Sequence, residues 1–269
     1  MKQKVMELQY AYTESKEKYI SLLPEYKKQF EGRMSDADIK SYNEILFSCH
    51  SCAIEGNSYS VDDSRALYEL GLGAIPQGKT LVESMEMLDH FHAYETMIDS
   101  IKEPLTESLL KHLHKLLTEH TIAYLHQGAI PGEYTDTDMC AGDTIFGDHE
   151  KLVAQVPRLL EATEKALLSD IPAMEIAARF HGFFEHLHPF RDGNGRIGRL
   201  MVNYILLRRD EPILIIPMER KSEYISCLKN FHNDSQEYLI DFFYRTAYNR
   251  MQTELSEKKR SSNKLMFLF

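Results

Sequence analysis

The sequence predicts an all-helical fold, and three observations support it. Apolar residues recur at helical spacing through most of the chain, glycines and prolines cluster at 71–78 and 129–147 outside those stripes, and 43% of the 269 residues are apolar, enough for a sizeable core. In chain order, Ile39, Tyr42, Ile45, Leu46, Cys49, Cys52 and Ala53 form a first stripe, which Gly56-Asn57 ends. Leu109, Leu110, Leu113, Leu116 and Leu117 form a second, and Leu152, Val153, Val156, Leu159 and Leu160 a third. Ile176, Phe180, Phe183, Phe184 and Leu187 form the next, with Asp170 expected as its cap and Pro172 in its first turn. That helix is expected to stop at His188, because Pro189 pushes the residue before it out of the helical region. From Ile197 through Leu200, Met201, Val202, Tyr204, Ile205, Leu206 and Leu207 the chain is apolar on most faces, which predicts a central, buried helix. Pro212-Ile-Leu-Ile-Ile-Pro217 is too brief for a membrane span, and Leu239, Ile240, Phe242 and Phe243 mark a last helix. No repeat, low-complexity tract or break in composition demands an independently folding second domain.

Between the two central helices lies the most chemically loaded stretch, His188-Pro-Phe-Arg-Asp-Gly-Asn-Gly-Arg-Ile-Gly-Arg199. Gly193 and Gly195 allow a sharp loop with exposed N–H groups, and Asn194 is expected to cap the following helix, whose positive end faces whatever sits over the loop. Arg196 and Arg199 share one face of its first turns. Two guanidiniums beside such a nest imply an anion. Asp192 would repel phosphates unless a cation lies between, and Mg²⁺ held by one carboxylate plus phosphate oxygens resolves that conflict. A histidine is near neutral in pKa by default, so His188 suits a base that takes a hydroxyl proton. Each residue alone has an ordinary reading as cap, turn or surface ion pair; packing does not require the combination.

His188, Phe190, Asp192, Gly193, Asn194, Gly195, Arg196 and Arg199 occupy every fixed position of a pattern that resembles the signature of the Fic (filamentation induced by cAMP) family, HxFx(D/E)GNGRxxR. The likeness runs from about Pro104 to about Arg209, more weakly to Tyr224. It implies a Fic-type helical bundle that transfers AMP from ATP to a protein hydroxyl. By the same resemblance His188 is the base for a target Ser, Thr or Tyr, Phe190 a core anchor and Asp192 the Mg²⁺ ligand. Gly193, Asn194 and Gly195 would hold the α and β phosphates, Arg196 the β side and Arg199 the γ phosphate.

Two further segments carry the resemblance. Ser51-Cys-Ala-Ile-Glu55-Gly56 resembles the family's inhibitory motif, (S/T)xxxE(G/N). Glu55 falls in the last turn of its helix, where the dipole disfavours a carboxylate, and the resemblance gives it Arg199 as partner. The arginine expected to orient the γ phosphate would then be withheld. Gly132-Glu-Tyr134-Thr135, Met139, Ala141 and Gly142 resemble the family's flap, which implies a short β-hairpin near the active site whose Tyr134, Thr135 and Met139 face an extended target. Thr135 departs from the arginine common there, and Met139 and Ala141 are weaker strand formers than the usual residues.

The expected organisation is an N-terminal helical region at 1–103 with the inhibitory motif, a catalytic core at 104–209 and a C-terminal helical extension at 210–269 packed on the core. The leading function is Mg²⁺- and ATP-dependent AMP transfer to a protein, restrained by Glu55. Removal of AMP from a modified protein, with Glu55 positioning water, and a nucleotide-binding regulator without catalysis stand beside it. A formal charge of −10 argues against indiscriminate binding to nucleic acid or anionic membrane. No basic segment followed by an apolar signal core is seen at the N-terminus, so the cytoplasm is expected. Leu265-Met-Phe-Leu-Phe269 is expected to dock on the body, and a homodimer is left open. Cys49 and Cys52 have CxxC spacing, but both sit on an apolar stripe with no second CxxC, which favours packing over zinc. His90/His92 and His112/His114 stand two apart and point opposite ways, so neither pair makes a site.

Overall fold

The computed structural model describes residues 2–30, 35–141 and 144–266. The described residues form α1 (Lys2–Gln29), α2 (Asp36–Glu55), α3 (Val61–Leu70), α4 (Leu81–Asp99), α5 (Glu107–Thr118), α6 (Ile122–Leu125), α7 (Leu152–Leu167), α8 (Ala173–Leu187), α9 (Asn194–Arg208), α10 (Lys221–Asn233) and α11 (Glu237–Met266). The chain divides into two compact units, one of residues 1–43 with 223–269 and one of residues 44–222.

In the first unit α1 and α11 run in the same direction, as their partners show. Ser15 Oγ donates to Asp241 Oδ1 at 2.6 Å, the Tyr19 and Tyr244 rings lie 5.4 Å apart, and Tyr26 donates to Glu254 Oε2 at 2.7 Å. Leu239, Ile240, Phe242 and Phe243 are all buried, as their spacing predicts. The side chains of the C-terminal Leu265–Phe269 lie outside the described residues.

The second unit is built around α9, which packs on α8, α5 and α4. Ile197, Leu200, Met201, Tyr204, Ile205 and Leu206 are completely buried, so the expected central helix is present. Two helices begin with capping boxes, Ser60 with Asp63 on α3 and Thr80 with Glu83 on α4, each satisfying backbone donors that a helix start leaves open. Leu109, Leu110, Leu113, Leu116 and Leu117 bury together on α5, whereas Val153 on α7 is 70% exposed and falls off its predicted stripe. Ile213–Ile216 are buried beside α9, where the Asn203 side chain pairs in both directions with the backbone of Leu214.

The β-hairpin flap expected over Gly132–Gly142 is not found, and the fold is corrected to a helical bundle without it. Gly132–Met139 contain no strand. Strand pairing among the described residues is confined to Cys140 with Ile145 and Ala141 with Thr144, two residues a side. Gly142 itself lies outside the described residues. Locally the chain prefers a turn. Thr135 Oγ1 donates to the Thr137 carbonyl at 3.0 Å and accepts from the Thr137 N–H at 3.3 Å, closing a side-chain turn that competes with a ladder.

The contact of α8 with α9 depends on Gly198. A Cβ there would lie 2.8 Å from His181 Nδ1 and 3.1 Å from Glu185 Oε1, and the His181 ring is fully buried and has no room to retreat. Gly198→Ala gains about 1 kcal/mol of helix propensity but overpacks the seam at about 1–3 kcal/mol, so a net loss of stability is expected in urea unfolding. A variant as stable as the parent would mean that the seam yields freely.

Candidate active site

The loop between α8 and α9 is held from below. Phe190 is completely buried, and its ring stacks on His114 of α5 at 3.6 Å and 6°. Its backbone is clamped by Asn194, whose Oδ1 accepts from the Phe190 N–H at 2.9 Å and whose Nδ2 donates to the Phe190 carbonyl at 2.7 Å. Asn194 therefore staples the loop and is not the helix cap; that position belongs to Gly193, at a φ of 77° that favours glycine. Asp170 likewise does not cap α8, which starts after Pro172 without a side-chain cap. His114 Nδ1 accepts from the Gly132 N–H at 3.0 Å, so Nε2 carries the proton and donates to the Asp192 carbonyl at 2.9 Å. Burial drops its pKa to about 4, which keeps this bridge neutral.

Above the loop, carboxylates occupy both arginines. Asp192 Oδ1 accepts from the Gly193 N–H at 2.7 Å, and Oδ2 lies 3.1 Å from Arg196 NH2. Arg196 is 2% exposed, and its other terminal nitrogen meets Glu86 of α4 at 3.3 Å. Glu86 also accepts from Asn57 at 3.1 Å, which ties the segment just after α2 to the same arginine. Arg199 is gripped by both motif residues of α2: Nε donates to Ser51 Oγ at 3.1 Å, and NH2 donates to the Ser51 carbonyl at 2.9 Å and to Glu55 Oε1 at 2.7 Å. Burial would raise the Glu55 carboxyl, but the charge and hydrogen bond of Arg199 outweigh it and bring the pKa below its ordinary value. Glu55 also fills the space over the first turn of α9, since a Cβ on Gly195 would lie 2.4 Å from Glu55 Oε1 and 2.9 Å from Arg199 NH1.

His188 caps α8 in the left-handed region, φ 47° and ψ 56°, with its N–H bonded to the Phe184 carbonyl at 2.9 Å. That backbone turn folds the imidazole back over the helix end. Phe146 stacks on its face at 3.8 Å and 13°. Burial lowers its pKa to about 4, only partly opposed by the Glu185 carbonyl, so the ring is a neutral acceptor at pH 7. The residues expected in the flap do reach this neighbourhood. The Thr135 N–H donates to the Pro189 carbonyl at 2.8 Å, the Phe146 N–H to the Met139 carbonyl at 3.1 Å, and Arg191 to Thr137 Oγ1 at 2.8 Å. Tyr134 instead turns toward Phe190, ring centroids 5.5 Å apart, with Lys111 over its face at 4.3 Å. Thr135 is buried and supports the loop.

The donor set fits a nucleotide's phosphates with a divalent cation. The positive end of α9, two guanidiniums and the surface over Gly195, where a Cβ would intrude, suit phosphate; Asp192 alone suits Mg²⁺, which takes few protein ligands. The described residues bring three metal-capable side chains together only at Asp138, Asp148 and His149, and the four cysteines are free thiols. Sequence reasoning missed His114, Glu86, Phe146 and Glu185. His114 shares the apolar face of α5 with Leu110 and Leu117, a face on which a histidine needs partners; the others are joined to the loop only in three dimensions.

The site is thus that of a helical domain whose buried central helix starts at a glycine cap, with an imidazole, two arginines and three carboxylates gathered around its first turns. Comparison with known proteins narrows it. The Fic/DOC family model matches residues 104–206. The chain is 26% identical over 229 residues to protein adenylyltransferase fic-1 of Caenorhabditis elegans, an alignment covering 82% of this chain and 43% of that protein. It is 28% identical over 202 residues to protein adenylyltransferase Fic of Drosophila melanogaster, covering 74% and 39%. In fold it resembles a Fic domain-containing signaling protein from Bacteroides thetaiotaomicron, with TM-score 0.74 and 21% identity over 93% of this chain and 97% of that one. The chain thus shows family-level and structural homology to the Fic/DOC family. It spans less than half the length of these two curated relatives, 43% and 39%. No described helix is long and apolar enough to cross a membrane.

Proposed function

We propose that this chain is a protein adenylyltransferase that moves AMP from ATP to a Ser, Thr or Tyr hydroxyl of a target protein and is restrained by Glu55. The observation that carries this reading is the convergence on the first two turns of α9: Asp192 meets Arg196, Ser51 and Glu55 hold Arg199, and His188 feels the charges of both Glu55 and Asp192. Relatives described as adenylyltransferases support it. His188, neutral by burial, takes the proton of the target hydroxyl as the oxygen joins the α phosphorus and the bond to pyrophosphate breaks. Gly193, Asn194, Gly195 and Arg196 hold the phosphates at the helix start, and Arg199 serves the γ phosphate once Glu55 lets go. Asp192 would hold Mg²⁺, which when bound neutralises charge between carboxylate and phosphates.

The test uses ATP labelled at the α phosphate, Mg²⁺ and candidate proteins, with the parent chain and Glu55→Gly. Label on a target or on the chain itself is expected. None from either form, with ATP binding intact, would remove the reading. Asp192→Ala is expected to lose the Mg²⁺ dependence of ATP binding in calorimetry, and a parent-like dependence would take Asp192 out of the metal site.

A further inference from the structure

Glu185 sits in the last turn of α8, largely buried, and nothing proposed so far uses it. Its carboxyl lies in the seam between α8 and α9, over the backbone of Gly198, where the missing Cβ leaves room for it. The groups that face it are His181 and His188 on its own helix, Arg199 on α9 and Glu55 on α2. Oε1 is buried without a hydrogen-bond partner and stands 3.9 Å from His181 Nε2. Oε2 stands 3.9 Å from His188 Nδ1, a buried nitrogen that makes no hydrogen bond of good geometry, although the Glu185 backbone carbonyl also faces the ring. These separations exceed a hydrogen bond, so the carboxyl is poised between two imidazoles and bonded to neither.

A carboxyl in such a seam is costly. Leucine would fill the same volume without desolvating a charge. Burial drives its pKa up to about 7, with Arg199 opposing and Glu55 reinforcing the rise. A group kept there against that penalty calls for a use, and its geometry supplies one. The left-handed cap at His188 aims Nδ1 at Glu185, and Phe146 fixes the ring plane at 3.8 Å. A short inward movement at either end closes the gap, in keeping with the lengthened contacts common before substrate binds.

We propose that Glu185 is a positioning residue for His188: its carboxyl accepts a hydrogen bond from Nδ1–H, so that Nε2 is the nitrogen left to take the target's hydroxyl proton. This rests on His188 being the base. The hydrogen bond sets the tautomer, and an ionised Glu185 stabilises the imidazolium that forms as the proton arrives. Glu185 touches neither nucleotide nor target and acts through His188.

The experiment has two arms, and one needs no activity. In a chain with ¹⁵N-labelled histidine, long-range ¹H–¹⁵N spectra across pH report the tautomer and pKa of His188, assigned by its loss in His188→Ala. The parent is expected to show Nδ1–H, Glu185→Ala a mixture of tautomers, and Glu185→Gln the parent tautomer with a lower pKa. In the second arm, with Glu55→Gly as background, Glu185→Ala is expected to lower kcat on the order of tenfold or more, with the KM for ATP within about twofold and partial rescue by Gln. A His188 tautomer and pKa unchanged in both variants, or an unchanged kcat, would overturn the proposal. If Glu185→Ala does not fold, the pKa of His188 in Glu185→Gln decides. Failure of the background variant itself to transfer AMP would count against the proposed function, while the spectra still judge Glu185.

Discussion

His188→Ala is expected to lower AMP transfer by about 10²–10⁴-fold while ATP binding in Mg²⁺ stays close to that of the parent. The imidazole has no part in the proposed phosphate cradle at the start of α9, whose loop is held by Asn194 and rests on Phe190 and His114 below. Its removal costs the stack with Phe146 but leaves the loop's main buried contact, Phe190 on His114, in place. Since burial holds the histidine's pKa at about 4, the parent rate should keep its His188-dependent base through neutral pH and lose it only on acidification toward that value. Calorimetric titration of ATP beside initial transfer rates checks both halves. An equal loss of affinity and turnover in a folded variant would remove His188 from the chemistry.

Glu55→Gly is expected to raise transfer about tenfold or more. A charge-assisted hydrogen bond contributes about 1.5–3 kcal/mol, and the lower end applies because the Glu55 side chain is 40% exposed and partly screened. The variant frees Arg199 from its 2.7 Å contact and vacates the space over Gly195. Ser51 still holds the other side of the guanidinium, so the arginine stays in place. Arg199→Ala should not reproduce the gain, because it removes the partner of the restraint and the phosphate contact together. The double variant should match Arg199→Ala, since both residues act through one interaction. Rates for the four proteins at matched ATP and Mg²⁺ close the cycle. A Glu55→Gly chain no faster in transfer, yet unable to release AMP from a modified protein, would replace restraint with hydrolysis.

The helices were legible where one face alone decides burial. Leu109 through Leu117 on α5 needed only their periodicity, because a helix repeats its exposure every 3.6 residues, whereas Leu200 through Leu206 on α9 were legible from an apolar run that covers most faces. The stop at His188 followed from Pro189. The flap failed because likeness to a motif overrode local chemistry: Thr135 and Thr137 satisfy each other within the turn, and Met139 and Ala141 add little strand preference. The cap on α9 went to Gly193 because Asn194 has two backbone partners in the loop at Phe190.

The sequence by itself determined the all-helical fold and the loaded loop from His188 to Arg199, each resting on spacing or on a pattern contiguous in the chain. The pairing of Glu55 with Arg199, 144 residues apart, was implied only by the family resemblance, and the tertiary contact at 2.7 Å decided it. Only the tertiary structure decided that Glu86 of α4 shares Arg196, that His114 of α5 supports Asp192, that Phe146 covers His188, and that Gly198 opens a seam in which Glu185 stands beside His188. Helical periodicity reports which way a side chain points along its own helix but carries no information about which other helix it meets, and these contacts are set by how the helices pack around α9.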